Sequence, residues 1–215
     1  LNGCIDTLVK PHYIHVNGPT ANFGVSASAV CILSAINFTD SSATDGTHPI
    51  TQWIWNYGDG VTETLTVPPF QHLYNTPGVY SVTLTVVDAT GCMDSIVRPS
   101  LVTISHPTAG FSAVDSLLCP GANIQFLNSS TGNALTYKWY FGDGGFSINA
   151  NPIHAYATSG LYTVKLVVTD QYGCTDSITR TDYIHIVLPV ANFTVSDSIG
   201  TCPPLIVSFT NTSQY

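Results

Sequence analysis

Trp55-Asn56-Tyr57-Gly58-Asp59-Gly60 returns further along the chain as Trp139-Tyr140-Phe141-Gly142-Asp143-Gly144, and this recurrence decides the fold. Its neighbours recur with it. His72-Leu73-Tyr74 comes back as His154-Ala155-Tyr156, and Gly78-Val79-Tyr80-Ser81-Val82 as Gly160-Leu161-Tyr162-Thr163-Val164. Gly91-Cys92-Met93-Asp94-Ser95-Ile96 comes back as Gly173-Cys174-Thr175-Asp176-Ser177-Ile178. Self-similarity at a fixed period marks tandem structural units. The ends carry parts of the same pattern: Gly3-Cys4-Ile5-Asp6-Thr7-Leu8 matches the last of these elements, and Ala191-Asn192-Phe193 repeats Ala21-Asn22-Phe23 and Ala109-Gly110-Phe111. The expected organisation is the last hairpin of a preceding repeat at 1–18, whole repeats at 19–105 and 106–188, and the start of a following repeat at 189–215. The chain thus reads as a piece of a longer array.

Within a repeat the side chains alternate with period two. Tyr162, Val164, Leu166 and Val168 fall on one face, and Thr163, Lys165, Val167 and Thr169 on the other. That is a strand with one buried face. Thr, Ser, Val, Ile and aromatic residues suit pleated surfaces, while the strong helix formers are scarce. About seven such segments per repeat, separated by Gly, Asn and Asp turns, predict an all-β fold of tandem immunoglobulin-like sandwiches. Tyr80 and Tyr162, at the start of the sixth strand, suit the tyrosine-corner position.

Charge excludes several functions. With 5 Lys+Arg against 13 Asp+Glu, a net charge of -8 and 8% charged residues, no nucleic-acid backbone is expected to bind. No apolar run is long enough to insert in a membrane, and no signal peptide opens the chain.

No catalytic constellation emerges. Asp59 and Asp143 read as turn aspartates accepting backbone N–H groups. His72 and His154 recur without a recurring partner of metal-ligand type and read as hydrogen-bonded structural histidines. Trp55 and Trp139 alternate with Tyr57 and Phe141 and read as core, Trp53 and Tyr137 as core or rim, and His15 and His185 as surface. No Gly-x-Ser-x-Gly elbow occurs. No cofactor is expected; calcium is the one ion that the oxygen-rich turns could hold, although no EF-hand-like run is present.

Taken together, Trp-x-Phe/Tyr-Gly-Asp-Gly, His-x-Tyr, Gly-x-Tyr-x-Val-x-Leu-x-Val-x-Asp and Gly-Cys-x-Asp-Ser resemble PKD (polycystic kidney disease) domains over essentially the whole chain. The cysteine-bearing variant is similar to repeats of very large surface proteins of gliding Gram-negative bacteria. The resemblance implies a non-enzymatic, extracellular repeat of a cell-surface adhesin or filament, acting as a stalk and associating with neighbouring repeats, identical chains or a surface polysaccharide. The alternative is an accessory spacer or carbohydrate-binding module of a secreted hydrolase. The linkers His106-Pro107-Thr108 and Leu188-Pro189-Val190 are short and stiffened by proline, which suits a rod-like array.

Cys4, Cys31, Cys92, Cys119, Cys174 and Cys202 form no CxxC pair, and an even count in a charge-poor β chain suggests disulfides. Two pairings compete: Cys31–Cys92 with Cys119–Cys174 inside each repeat, or Cys31–Cys174 across the joint. Cys119 precedes the second strand and Cys174 follows the sixth, which puts them at opposite ends of a sandwich and favours the joint. Cys4, Cys92, Cys119 and Cys202 would then be paired in repeats outside this stretch or be free. Thr7, Ser95, Ser116, Ser177 and Ser198, each after Asp and before an apolar residue, match an O-glycosylation sequon of relatives of the gliding bacteria. Asn37, Asn128, Asn192 and Asn211 match Asn-x-Ser/Thr.

Overall fold

The computed structural model describes residues 7–9, 17–196, 199 and 206–214, and the chain divides into two compact units between Ser105 and His106. No helix occurs among the described residues. In the first unit the strands are β1 (Phe23–Val25), β2 (Ala29–Cys31), β3 (Ala35–Asp40), β4 (Ile50–Asn56), β5 (Thr62–Leu65), β6 (Phe70–Leu73), β7 (Gly78–Asp88) and β8 (Met93–Ser105). They form a three-stranded sheet, β1-β3-β6, and a five-stranded sheet, β2-β8-β7-β4-β5. The count exceeds the seven expected because the leading strand changes sheets. At Ser26-Ala27-Ser28 the chain leaves its antiparallel pairing with β3, and β2 then runs parallel to β8.

The second unit repeats this plan with β9 (Phe111–Ala113), β10 (Leu117–Leu118), β11 (Asn123–Asn128), β12 (Thr136–Tyr140), β13 (Phe146–Ser147), β14 (Ile153–Ala155), β15 (Gly160–Thr169) and β16 (Thr175–Ile186). Its sheets are β14-β11-β9 and β10-β16-β15-β12-β13. Beyond it, β17 (Phe193–Val195) and β18 (Phe209–Asn211) pair antiparallel in the register that β9 and β11 use.

Each core lies between the two sheets of its unit. Phe23, Ile36, Phe38 and Phe70 from the smaller sheet meet Trp55, Val82, Leu84, Val86, Val102 and Ile104 from the larger, and all are buried. Rings cross the gap edge-on or tilted, as aromatic quadrupoles prefer. Phe23 lies 5.0 Å from Trp55, and Phe111 lies 5.1 Å from Trp139. Trp53 and Tyr137 are partly buried and pack at the rim.

The first glycine of each Gly-Asp-Gly turn has a structural cause. Gly58 and Gly142 sit at φ 83 and 88, and a Cβ there would run into the backbone carbonyl of Ser81 or Thr163 on the adjacent strand. Only glycine combines that backbone sign with so close an approach. The Tyr80 hydroxyl donates to the Thr76 carbonyl at 2.9 Å, and the Tyr162 hydroxyl to the Thr158 carbonyl at 2.8 Å.

Candidate functional site

The residues singled out by recurrence meet in one arrangement, built twice. Asp59 lies in the turn between β4 and β5 of the larger sheet, and His72 lies on β6 of the smaller one. The His72 imidazole hydrogen-bonds through Nε2 to Asp59 Oδ2 at 2.7 Å, and the second unit places His154 Nε2 2.8 Å from Asp143 Oδ2. The other carboxylate oxygens close their own turns, accepting the Val61 and Gly145 amides. Both imidazoles are also enclosed. His72 stacks on Tyr57 at 3.8 Å and meets Tyr74 edge-on at 4.6 Å, while His154 does the same with Phe141 and Tyr156. Burial pushes the Asp143 carboxyl up, but the hydrogen bonds from His154 and the Gly145 amide outweigh it, so its pKa is lowered. Burial raises the Tyr57, Tyr74 and Tyr156 hydroxyls above their ordinary value. Such an Asp–His pair joins the two sheets of its unit, the first pair more buried than the second.

A second cluster belongs to the first unit. Asp45 and His48 lie in the β3–β4 loop, and Asp88 ends β7. Asp45 Oδ1 accepts the Thr47 and His48 amides at 2.8 and 2.7 Å, and Oδ2 lies 2.8 Å from His48 Nδ1. Asp88 is 3% exposed. Its Oδ1 accepts the Thr90 and Cys92 amides, and its Oδ2 is buried without a hydrogen-bond partner. One ligand atom from each of the three residues lies within 4.8 Å of the others, a donor set that could hold a divalent cation. This cluster does not recur, since in the second unit only Asp170 matches Asp88 while Thr131-Gly132-Asn133 replaces the loop.

The His48 hydrogen bond, then the His48 and Thr47 amides, hold the Asp45 carboxyl far below the usual carboxylate range. The same bond raises His48 above 6.5. A raised histidine stabilises below its unfolded pKa and loses that contribution as pH climbs through its folded value. The lowered Asp45 stabilises above about pH 4 and loses its contribution only in stronger acid. The first unit is therefore expected to melt at a lower temperature at pH ~8.5 than at pH ~5.5 in the presence of chelator, with His48→Asn abolishing the difference. Calorimetry of both proteins checks this.

The Asp-Ser-Ile elements have a role that the sequon reading overlooks. Asp94 Oδ2 accepts the Ala21 amide at 2.8 Å, and Asp176 Oδ2 accepts the Ala109 amide at 2.8 Å. Each aspartate ties the first strand of its repeat to the last hairpin, which explains its recurrence. Thr7, Ser95, Ser116 and Ser177 are exposed, while Ser198 lies outside the described residues. His185 is exposed on β16, and His15 lies outside the described residues. Tyr140 and Phe146, paired across β12 and β13, are 40% and 69% exposed, an aromatic pair that the sequence does not flag.

Cys31 and Cys174 are disulfide-bonded, whereas Cys92 and Cys119 are free and exposed; Cys4 and Cys202 lie outside the described residues. Cys92 lies next to the start of β8, and Cys31 pairs with Ser105 at the other end of that strand.

The PKD domain family matches residues 16–104 and 105–186. The chain is 27% identical over 164 residues to the pre-pro-metalloprotease PrtV of Vibrio cholerae serotype O1, covering 75% of this chain and 17% of that protein. It is 49% identical over 45 residues to collagenase ColA of Bacillus cereus, covering 21% of this chain and 5% of that protein. It thus spans less than a fifth of either relative. Among solved structures, the PKD1 domain of Vibrio anguillarum Epp shares 33% identity at a TM-score of 0.33, covering 38% of this chain and 95% of that one. PKD domains are non-catalytic immunoglobulin-like modules. With both of its units matched in succession, this chain belongs to the PKD domain family.

Proposed function

We propose that the chain is a non-catalytic, extracellular spacer that forms part of a larger secreted protein such as a protease. The observation that carries this reading is the succession of two PKD units in a chain whose relatives include a pre-pro-metalloprotease and a collagenase, of which it spans only a small share. The internal chemistry agrees. The recurring Asp and His residues hydrogen-bond one another across the sheets, and the recurring Asp94 and Asp176 hold the leading strands. Such a module sets the distance between a working domain and its target.

The cysteine framework favours a second reading, the stalk of a cell-surface adhesin or filament. An even set of cysteines placed alike in successive repeats suits a long extracellular array. The denatured, reduced mass of the native polypeptide, with peptide sequencing along its length, separates the two. A hydrolase domain in the same polypeptide supports the spacer. A polypeptide of several hundred kilodaltons yielding mainly further PKD peptides replaces it with the stalk. The same mass spectra read the Asp-Ser sites, since O-glycans would add hexose-sized increments to peptides containing Ser95, Ser116 or Ser177.

A further inference from the structure

We propose that the outer face of the larger sheet in the second unit is a docking surface for an acidic polysaccharide of the uronic-acid kind. Tyr140 and Phe146 stack on its sugar rings, and Lys138 and Lys165 pair with its carboxylates.

Strand geometry is the first ground. Alternation sends every second side chain of β12 away from the core. Trp139 points inward and is fully buried, so Thr136, Lys138 and Tyr140 share the outer face, and all three are exposed. Register carries that face across the sheet. Tyr140 lies between Phe146 of β13 and Lys165 of β15, and Lys138 lies beside Val167. Phe146, Tyr140 and Lys165 thus form one row over three strands, about 10 Å long at ~4.8 Å between strands. Lys138 stands two residues along β12, with its Nζ 5.3 Å from the centroid of the Tyr140 ring. That cation–π contact holds a positive charge against the aromatic surface.

Charge is the second ground. The chain has 5 Lys+Arg against 13 Asp+Glu. Two of its cations are arginines committed to the protein itself, Arg98 donating to Asn22 Oδ1 and Arg180 to the Phe111 carbonyl. Lys138 and Lys165 instead stand together on this one face, and among the described residues neither forms an ion pair. The rows continue onto β16 with Thr179 beside Lys165 and Ser177 beside Val167, so no acidic side chain interrupts them. A local positive patch in a chain of net charge -8 favours an anionic partner.

The fold itself does not call for these residues. In the first unit the corresponding positions are Ile54, Asn56, Thr62 and Thr83, with Asn56 lying between Thr62 and Thr83 in the same pairings. A sandwich of the same design therefore folds with a neutral, non-aromatic outer face. Phe146 is 69% exposed and Tyr140 40%, so both rings present surface to solvent. Rings on an open sheet suit the flat C–H face of a pyranose, whereas a peptide anchor gains most in an enclosing, desolvated pocket. The inference is independent of which larger protein carries the unit.

The test is fluorescence polarisation with the whole chain, at low salt and with chelator present. The probes are fluorescein-labelled oligogalacturonate, neutral malto-oligosaccharide, oligoglutamate and oligothymidylate of equal length. The expected result is binding of the oligogalacturonate and not of the neutral sugar. Its Kd should rise about tenfold in Lys138→Gln/Lys165→Gln and again in Tyr140→Ala/Phe146→Ala. Asn56→Ala/Thr62→Ala, on the matching face of the first unit, should leave it unchanged. All of these side chains are exposed, and an unaltered thermal transition verifies that each variant folds. Failure to bind oligogalacturonate, or a Kd that either second-unit variant leaves unchanged, would overturn the inference. So would equal binding of oligoglutamate or oligothymidylate, which would make the partner an acidic protein or a single-stranded nucleic acid.

Discussion

Replacing Trp139 by alanine should destabilise the second unit by about 3–5 kcal/mol, read as a fall in the midpoint of its denaturant transition. The indole is fully buried, touches Phe111 and Phe126 from the opposite sheet, and cannot be replaced by collapse of a rigid sandwich. A domain of this size has about 5–15 kcal/mol of stability, so the variant would sit close to unfolding. The milder change to phenylalanine discriminates between the repeats. The Trp139 Nε1–H donates to the Asn149 carbonyl at 2.9 Å, whereas the Trp55 Nε1–H is buried without a partner. Trp139→Phe breaks a hydrogen bond worth about 1 kcal/mol, and Trp55→Phe removes a group already unsatisfied. Trp139→Phe should therefore be the costlier of the two. Equal losses would mean that the indole N–H groups contribute nothing that distinguishes the repeats.

His72→Ala should cost the first unit about 2–3 kcal/mol, because it removes a hydrogen bond to a carboxylate together with two aromatic contacts. His154→Ala should cost the second unit roughly half as much. The side chains of the second pair are 19% and 24% exposed, against 8% and 12% for the first, so water substitutes for the lost partner more readily. Urea titrations of the single variants check the order. If neither variant moved its transition, the pair would not be what holds β6 to the β4–β5 turn.

These two predictions also show where the sequence is legible. The parity that places Trp55 with Tyr57 and Trp139 with Phe141 puts all four rings in the core, since strand alternation is a local property. Asp59 and His72 are each readable as structural, but their union is not. They are thirteen residues apart and belong to different sheets, and nothing in the spacing says that the turn folds toward β6. The hydrogen-bonding role of Asp94 and Asp176 is hidden for a related reason, since their partners, the Ala21 and Ala109 amides, lie more than sixty residues away. Recurrence itself hides the Asp45–His48–Asp88 cluster, because a filter for what repeats discards a loop that occurs in one unit. The oxidation states of the cysteines are legible only as a choice between pairings, which their placement at the ends of the strands narrows.

The parallel pairing of β2 with β8, and of β10 with β16, gives each unit a particular response to tension. The chain enters the first unit through β1, continues into β2 and leaves from the end of β8, and the second unit repeats this with β9, β10 and β16, so a pull on the two ends of a unit loads β2 against β8 or β10 against β16. Parallel strands loaded from opposite ends slide along one another, and their interstrand hydrogen bonds are strained together instead of opening one at a time. A unit built this way resists stretching as a whole and then yields abruptly, and a series of such units would lengthen under load in discrete steps.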